Sequence, residues 1–294
     1  MPHADDSCAL APTAPASPDR RDFMRGAVGV GFAAAVLPTL AQTAIHTPPD
    51  GLVAGELRVN AGADTIPAYR ARPAAGAGWP VVLVVSEIFG VHEHIADLCR
   101  RLARAGYYAI APELFVRQGD AKAEQAIPDL IRNVVAKKSD AETLADLDAT
   151  VATAAADGGD TGRLAITGFC WGGRVVWMYA AHSKRLKAGV AWYGKLVAGF
   201  NPALQPRNPV DVAARLNAPV LGLYGGKDDS IPLDGIERMK AELAKGTPAS
   251  RGSSFVVYPQ AGHAFNADYR PSYVADAAQD GWKRMLDWFK ANGV

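Results

Sequence analysis

The sequence predicts an α/β fold, a mostly parallel central sheet with helices on both faces. Three observations predict it. Apolar, β-branched runs alternate with stretches of helical periodicity from about residue 56 to the C-terminus. One run, Pro80–Ser86 (PVVLVVS), is continuously apolar, which suits a parallel strand buried on both faces. The composition is that of an ordinary globular chain, 49% apolar and 21% charged in 294 residues.

In order along the chain, Glu56–Val59 and Ile66–Arg72 read as two short strands in a hairpin-like start, and Pro80–Ser86 is the first buried strand. Glu93–Ala105 carries Ile95, Leu98, Cys99 and Leu102 on one helical stripe, and Gly106 stands where a helix stops. Tyr107–Ala111 is the next strand. A helical stretch lies within Ala121–Lys138, where Pro128 starts or breaks it. Ser139 and Glu142 have the spacing of a capping box and open a helix to about Ala156, stopped by Gly158-Gly159. Arg163–Phe169 is a strand, Trp171–His182 a helix and Leu186–Trp192 a strand. Gly199–Pro209, with Pro202 and Pro206, is a loop. Pro219–Tyr224 and Ser254–Tyr258 are strands around a helix at Pro232–Lys245, and Ser272–Asn292 is a closing amphipathic helix. No internal repeat or linker interrupts the chain, so residues 42–294 are expected to form a single domain.

The 31 basic and 30 acidic residues leave a formal charge of +1, too balanced for phosphate-backbone binding, so no nucleic-acid partner is expected. Residues 1–41 read as an export segment. Arg20-Arg21, Phe23 and Arg25 precede an uncharged run, Gly26–Leu40, followed by small residues around Ala41. The run is shorter than the roughly 20 apolar residues a membrane span needs. The paired arginines resemble the twin-arginine motif. That implies delivery to the periplasm, with the cytoplasm as the alternative, and no stable membrane association once the segment is removed. Cys8 would leave with it. Cys99 and Cys170 are too few and too far apart to be a disulfide framework, and Cys99, on its helix's apolar stripe, reads as packing. The expected assembly is a monomer or a small homo-oligomer.

One pentapeptide carries the chemistry. Gly168-Phe169-Cys170-Trp171-Gly172 follows a predicted strand and opens a predicted helix, the nucleophile-elbow pattern with cysteine at its centre. Such a turn holds its nucleophile in strained backbone, so flanking glycines are needed to avoid clashes. The Trp171 N–H and the helix N-terminus then face the developing oxyanion. The nucleophile needs an acid and then a histidine later in the chain, each just after a strand. Of the six histidines, only His263 follows a late strand. Asp228 and Asp229 both follow the strand ending at Tyr224; either can orient the imidazole, and either can instead cap the helix at Pro232. Glu87 ends a buried strand, where a carboxylate is costly unless it is functional or paired, for instance with Arg117.

Other chemistries are less well supported by the pattern. His92-Glu93-His94 lacks the i, i+4 spacing with which a helix grips zinc, and no Gly-x-Gly-x-x-Gly follows a strand, so neither metal nor cofactor is expected. Trp171, Trp192, Tyr193 and Tyr224, at strand ends, suit an aromatic wall for an acyl group or plain core equally well.

Taken in order, these motifs resemble the dienelactone hydrolase (carboxymethylenebutenolidase) family of α/β-hydrolases, over roughly Gly55–Gly293. The segments that carry the likeness are Glu87-Ile88-Phe89-Gly90, Pro112-Glu113-Leu114 through Arg117-Gln118, Gly168–Gly173, Gly226–Pro232 and Ala261–Phe265. The resemblance implies an α/β-hydrolase fold, a small-molecule ester or enol-lactone substrate and no cofactor, and it favours Asp228 over Asp229. It further implies that Cys170 attacks the carbonyl to give an acyl-thioester and that His263 is the base, oriented by Asp228. Glu87 would help form the thiolate when substrate binds, Ile88 and Trp171 N–H groups would form the oxyanion hole, and water would release the acid. Family members acting on dienelactone hold its carboxylate with an arginine four residues past the histidine. Here that position is Ala267, Arg270 lies three further on, and Ala264 stands in place of a serine. A second substrate arginine belongs in the segment after Gln118, where Arg132 is a candidate. Arg117, Trp192, Tyr193 and Arg270 are the main substrate-binding candidates. The alternatives are a thioesterase or acyltransferase on the same triad, and a non-catalytic binding protein of the same fold.

Overall fold

A computed structural model describes residues 45–294 apart from 122, 125 and 198. The export segment read in residues 1–41, the domain boundary at 42 and Cys8 lie outside them. Among the described residues, no helix is long and apolar enough to cross a membrane.

The strands are β1 (Leu52–Ala61), β2 (Asp64–Pro73), β3 (Trp79–Val85), β4 (Tyr108–Pro112), β5 (Gly159–Phe169), β6 (Leu186–Trp192), β7 (Val220–Gly225) and β8 (Ser254–Tyr258). They form one sheet in the order β1-β2-β4-β3-β5-β6-β7-β8. The first two pairings, β1 with β2 and β2 with β4, are antiparallel, and every pairing from β4 to β8 is parallel. In β3 the five residues Val81–Val85 are all buried. Successive side chains point to opposite faces, so both faces of the sheet are covered there. This is the α/β architecture that the alternation of runs predicts.

The helices are α1 (Glu93–Arg104), α2 (Ile127–Asn133), α3 (Asp140–Ala156), α4 (Trp171–His182), α5 (Pro209–Val212), α6 (Leu233–Ala244), α7 (Pro248–Arg251) and α8 (Ala275–Ala291). The short α5 and α7 are too brief to show periodicity, although Pro209 and Pro248 each stand at a first helical position. Helix α8 starts later than Ser272 because the N–H groups of Tyr273 and Val274 are bonded to the carbonyls of Arg270 and Phe265. Its apolar stripe, Ala277, Ala278, Gly281, Met285 and Phe289, faces β6 and β7.

The capping box expected at Ser139 is only half made. Ser139 Oγ accepts from Glu142 N at 3.1 Å, but the Glu142 carboxylate turns to Arg117, Gln118 and Lys138. Those charge-assisted bonds outcompete one bond to the backbone of residue 139.

The packing of α4 positions everything that follows. Its first turn lies between the ends of β3 and β6 at backbone contact distance. A Cβ on Gly172 would stand 2.3 Å from the Val85 carbonyl oxygen, and one on Gly173 would stand 2.5 Å from that of Trp192. Gly194 closes the same joint from the β6 side, where a Cβ would meet the Gly173 carbonyl carbon at 2.3 Å. Three glycines therefore let three backbones meet where β5 hands over to α4.

Candidate active site

Cys170 is the residue between β5 and α4, at φ 54°, ψ −111°. That conformation is sterically costly for a residue with a Cβ, and such strain gathers at functional sites. The turn is held by its backbone: Cys170 N donates to Trp192 O at 3.0 Å and Arg174 N to Cys170 O at 3.2 Å. Cys170 is free and partly exposed, whereas Cys99 is free and fully buried, with burial raising its thiol pKa. Trp171 opens α4, so its N–H is one of the four that a helix leaves without an internal acceptor.

His263 lies in the loop after β8 and Asp228 in the loop after β7. His263 Nδ1 stands 2.7 Å from Asp228 Oδ2, and the imidazole also feels Cys170. Asp228 is buried; its second oxygen accepts from Ser230 N at 3.0 Å and Ser230 Oγ at 2.6 Å. Burial raises the Asp228 pKa, but His263 and Ser230 outweigh it and the net direction is down. For His263, burial acts downward, and Asp228 and Cys170 push the pKa up to about 10. Both partners favour the protonated form of the ring. Asp229 is exposed.

A raised histidine pKa contributes stability that is fully present below its unfolded value, near 6.5, and is lost as pH rises through about 10. The Asp228→Asn variant, which removes the partner charge, is accordingly expected to cost more unfolding free energy at pH 6 than at pH 10.5. Urea melts at the two pH values measure it; an equal cost at both would mean that Asp228 does not hold the imidazolium.

Glu87 is buried just past β3, on the other side of β5 from β6. Its Oε2 accepts from Tyr269 Oη at 3.2 Å and lies 3.6 Å from Arg270 Nη2. The Arg270 guanidinium is sandwiched, 4.7 Å over the Phe89 ring and 5.2 Å over that of Tyr269. Tyr269 Oη is also 3.4 Å from His92 Nε2, and His94 Nδ1 lies 3.2 Å from Asp268 Oδ1. Ile88, the next residue, is buried. Among the described residues no group of three or more His, Cys, Asp or Glu is placed to hold a metal ion.

The other candidates divide. Tyr193 is buried, at φ 39°, with its ring edge-on to His263 at 5.2 Å between centroids. Trp192 is corrected to core: it is fully buried, stacks on Phe169, packs on Phe265 and donates Nε1–H to Thr167 Oγ1 at 3.2 Å. Tyr193, just past the end of β6 at φ 39°, leaves the alternation of the strand. Arg117 is tied to α3: its Nε donates to Glu142 at 2.6 Å and its Nη2 to Asp146 at 2.6–2.7 Å, while its Nη1 has no hydrogen-bond partner. Arg132 is exposed and pairs with Asp129 one helical turn away. Tyr224 is buried, with its hydroxyl bonded to Gly194 O and Trp177 Nε1. Tyr269 went unnoticed in the sequence; its only signal there is its place beside Arg270.

Comparison with known proteins gives the family. The model of the dienelactone hydrolase family matches residues 66–293. A protein of Methylorubrum extorquens named "Putative carboxymethylenebutenolidase" is 57% identical over 276 residues, 94% of each chain. Its namesake in Escherichia coli K12 is 56% identical over 264 residues, 90% of this chain and 96% of the other. A solved structure from Klebsiella pneumoniae, titled as a "Putative Dienelactone Hydrolase", is 56% identical with a TM-score of 0.79, covering 82% of this chain and 99% of that one. The chain belongs to the dienelactone hydrolase family and is a hydrolase of the α/β class.

Proposed function

We propose that this hydrolase cleaves small esters and enol-lactones with Cys170 as nucleophile, through an acyl-thioester. The observation that carries the reading is the strained Cys170 turn beside His263, which is itself 2.7 Å from Asp228. In the acylation step Sγ, having given its proton to Glu87, forms a bond to the carbonyl carbon and the C=O electron pair moves to oxygen. That oxyanion meets the N–H groups of Ile88 and Trp171. When it collapses, the C–O bond breaks and His263 gives its proton to the leaving oxygen. A water molecule, losing its proton to His263, then attacks the thioester carbon; the C–S bond breaks, its electron pair returns to Sγ, and the acid leaves.

Arg270 links substrate choice to this chemistry. With Glu87 at 3.6 Å, the arginine is partnered before substrate arrives. A carboxylate-bearing lactone would compete for the guanidinium and release Glu87 toward the sulfur, where it can take the thiol proton. Ala267 offers no such group, so Arg270 takes over the task of the arginine that the family carries nearer its histidine.

The test compares a dienelactone with a neutral p-nitrophenyl ester. The wild-type chain is expected to hydrolyse both. A charge-assisted hydrogen bond contributes roughly 1.5–3 kcal/mol, so Arg270→Gln should lower kcat/KM for the dienelactone about 10- to 100-fold. The neutral ester should change by less than about threefold. An equal loss on both would show that Arg270 acts only through Glu87, and no turnover of either by the wild-type chain would overturn the proposed substrate class.

A further inference from the structure

Tyr193 carries a hydroxyl that the fold does not use. The side chain is fully buried, yet its Oη makes no hydrogen bond. Buried polar groups are nearly always paired, and an orphan calls for a reason. Ordinary core packing is a poor one, because phenylalanine would fill the same space without an unpaired donor. The backbone is also strained here, at φ 39°. Its N–H is tied to Leu223 O at 2.8 Å, and the preceding carbonyl, that of Trp192, accepts the amide of Cys170 itself. Tyr193 is thus one residue from a direct backbone link to the nucleophile. Its ring lies edge-on against His263 at 5.2 Å.

Strand order gives the Tyr193 backbone a side, and its ring packs on His263 while Glu87, Tyr269 and Cys170 act on the hydroxyl. The two amides read as the oxyanion hole belong to the end of β3 and the start of α4. Tyr193 follows β6, across β5 from β3, toward the strands whose loops carry Asp228 and His263. A carbonyl oxygen held by Ile88 and Trp171 leaves the departing group pointing to the His263 side, where Tyr193 stands.

We propose that Tyr193 Oη donates a hydrogen bond to the substrate's leaving oxygen as the C–O bond breaks. The electron pair of that bond goes to oxygen, His263 supplies the proton that completes the alcohol or enol, and Tyr193 keeps its own proton throughout. Burial, together with Glu87 and Tyr269 facing it, holds the phenol well above its ordinary pKa, so it serves only as a donor. A donor unpaired in the free enzyme and paired only as charge develops favours the transition state over the ground state. The inference rests on the reading of Cys170 as nucleophile and His263 as acid.

Tyr193→Phe removes Oη and keeps the ring. The readout is kcat/KM, which reports acylation, across acetate esters from p-nitrophenyl through phenyl and trifluoroethyl to ethyl. The expected result is a graded loss, about 10- to 100-fold for the basic alkoxide leaving group and under about threefold for p-nitrophenolate, which needs little help. The melting temperature should be unchanged or higher, since no folded-state bond is lost. A uniform loss across the series, no loss at all, or a lower melting temperature would each overturn the proposal. Mass spectrometry of quenched reactions separates the two levels of inference. Acyl-Cys170 in the wild-type chain with an ungraded Tyr193→Phe profile overturns the Tyr193 role alone. No acyl-Cys170 in the wild-type chain overturns the nucleophile reading and this proposal with it.

Discussion

Replacing Cys170 by alanine is expected to lower kcat at least about 10⁴-fold while leaving the fold intact, because removing a nucleophile removes the covalent route and leaves only binding and oxyanion stabilisation. Circular dichroism and a thermal melt check the fold; p-nitrophenyl ester and dienelactone turnover check the activity. Cys170 is partly exposed and its side chain stands beside His263, so little packing is lost with the sulfur. The strain at φ 54° remains in the alanine variant, since any Cβ meets the same crowding. Glycine relieves that strain. Cys170→Gly should therefore be as inactive as Cys170→Ala but more stable, by about 1 kcal/mol. A dead variant more stable than its parent would show that the turn is maintained for chemistry at the expense of stability. Retained turnover in Cys170→Ala would end the cysteine mechanism, and lost turnover with a collapsed melt would leave a structural role as its cause.

The sequence shows the sheet clearly wherever burial is two-sided. Val81–Val85 is an unbroken apolar run because both of its faces are covered, and such a run has few other readings. The nearness of Cys170, Asp228 and His263 is legible for a related reason. Each lies just past the end of a parallel strand, and neighbouring strand ends of one sheet bring their loops together. What stands around Glu87 is much less legible. Tyr269 and Arg270 sit in an irregular loop between β8 and α8, where no periodicity tells which way a side chain points. Trp192 and Tyr193 are adjacent aromatics, and the residue that turns into the site is set by a backbone angle of 39° that no pattern of residue types encodes. The pairing of Arg117 is hidden for an electrostatic reason. Its partners Glu142 and Asp146 lie 25 and 29 residues later, on a helix whose rotation fixes which carboxylates meet the guanidinium.

The second large effect is expected from a single methyl group. Gly172→Ala would place its Cβ 2.3 Å from the Val85 carbonyl oxygen and 2.7 Å from that of Ser86. Both atoms are backbone, so no side-chain rotation relieves the contact, and either α4 or the end of β3 has to move. Overpacking of this kind costs about 3 kcal/mol, which for a chain of this size lowers the melting temperature by about 6–12 °C. The damage is not confined to stability. Val85 and Ser86 lead directly into Glu87 and Ile88, while Gly172 follows directly on Trp171. Driving the two backbones apart therefore widens the space between the amides proposed to bind the oxyanion, and a shift of about 1 Å in such a site costs on the order of 10²-fold in rate. Gly235→Ala supplies the control. That glycine lies in the first turn of α6, its added Cβ would meet Val197 methyl carbons at an ordinary 3.8 and 3.9 Å, and helix propensity favours alanine by roughly 0.5–1 kcal/mol. The same substitution should thus destabilise and inactivate at position 172, yet stabilise with unchanged turnover at position 235. Equal melting temperatures for the two variants would show that the contact between α4 and β3 is looser than these distances require, and that the spacing of the site is not set by Gly172.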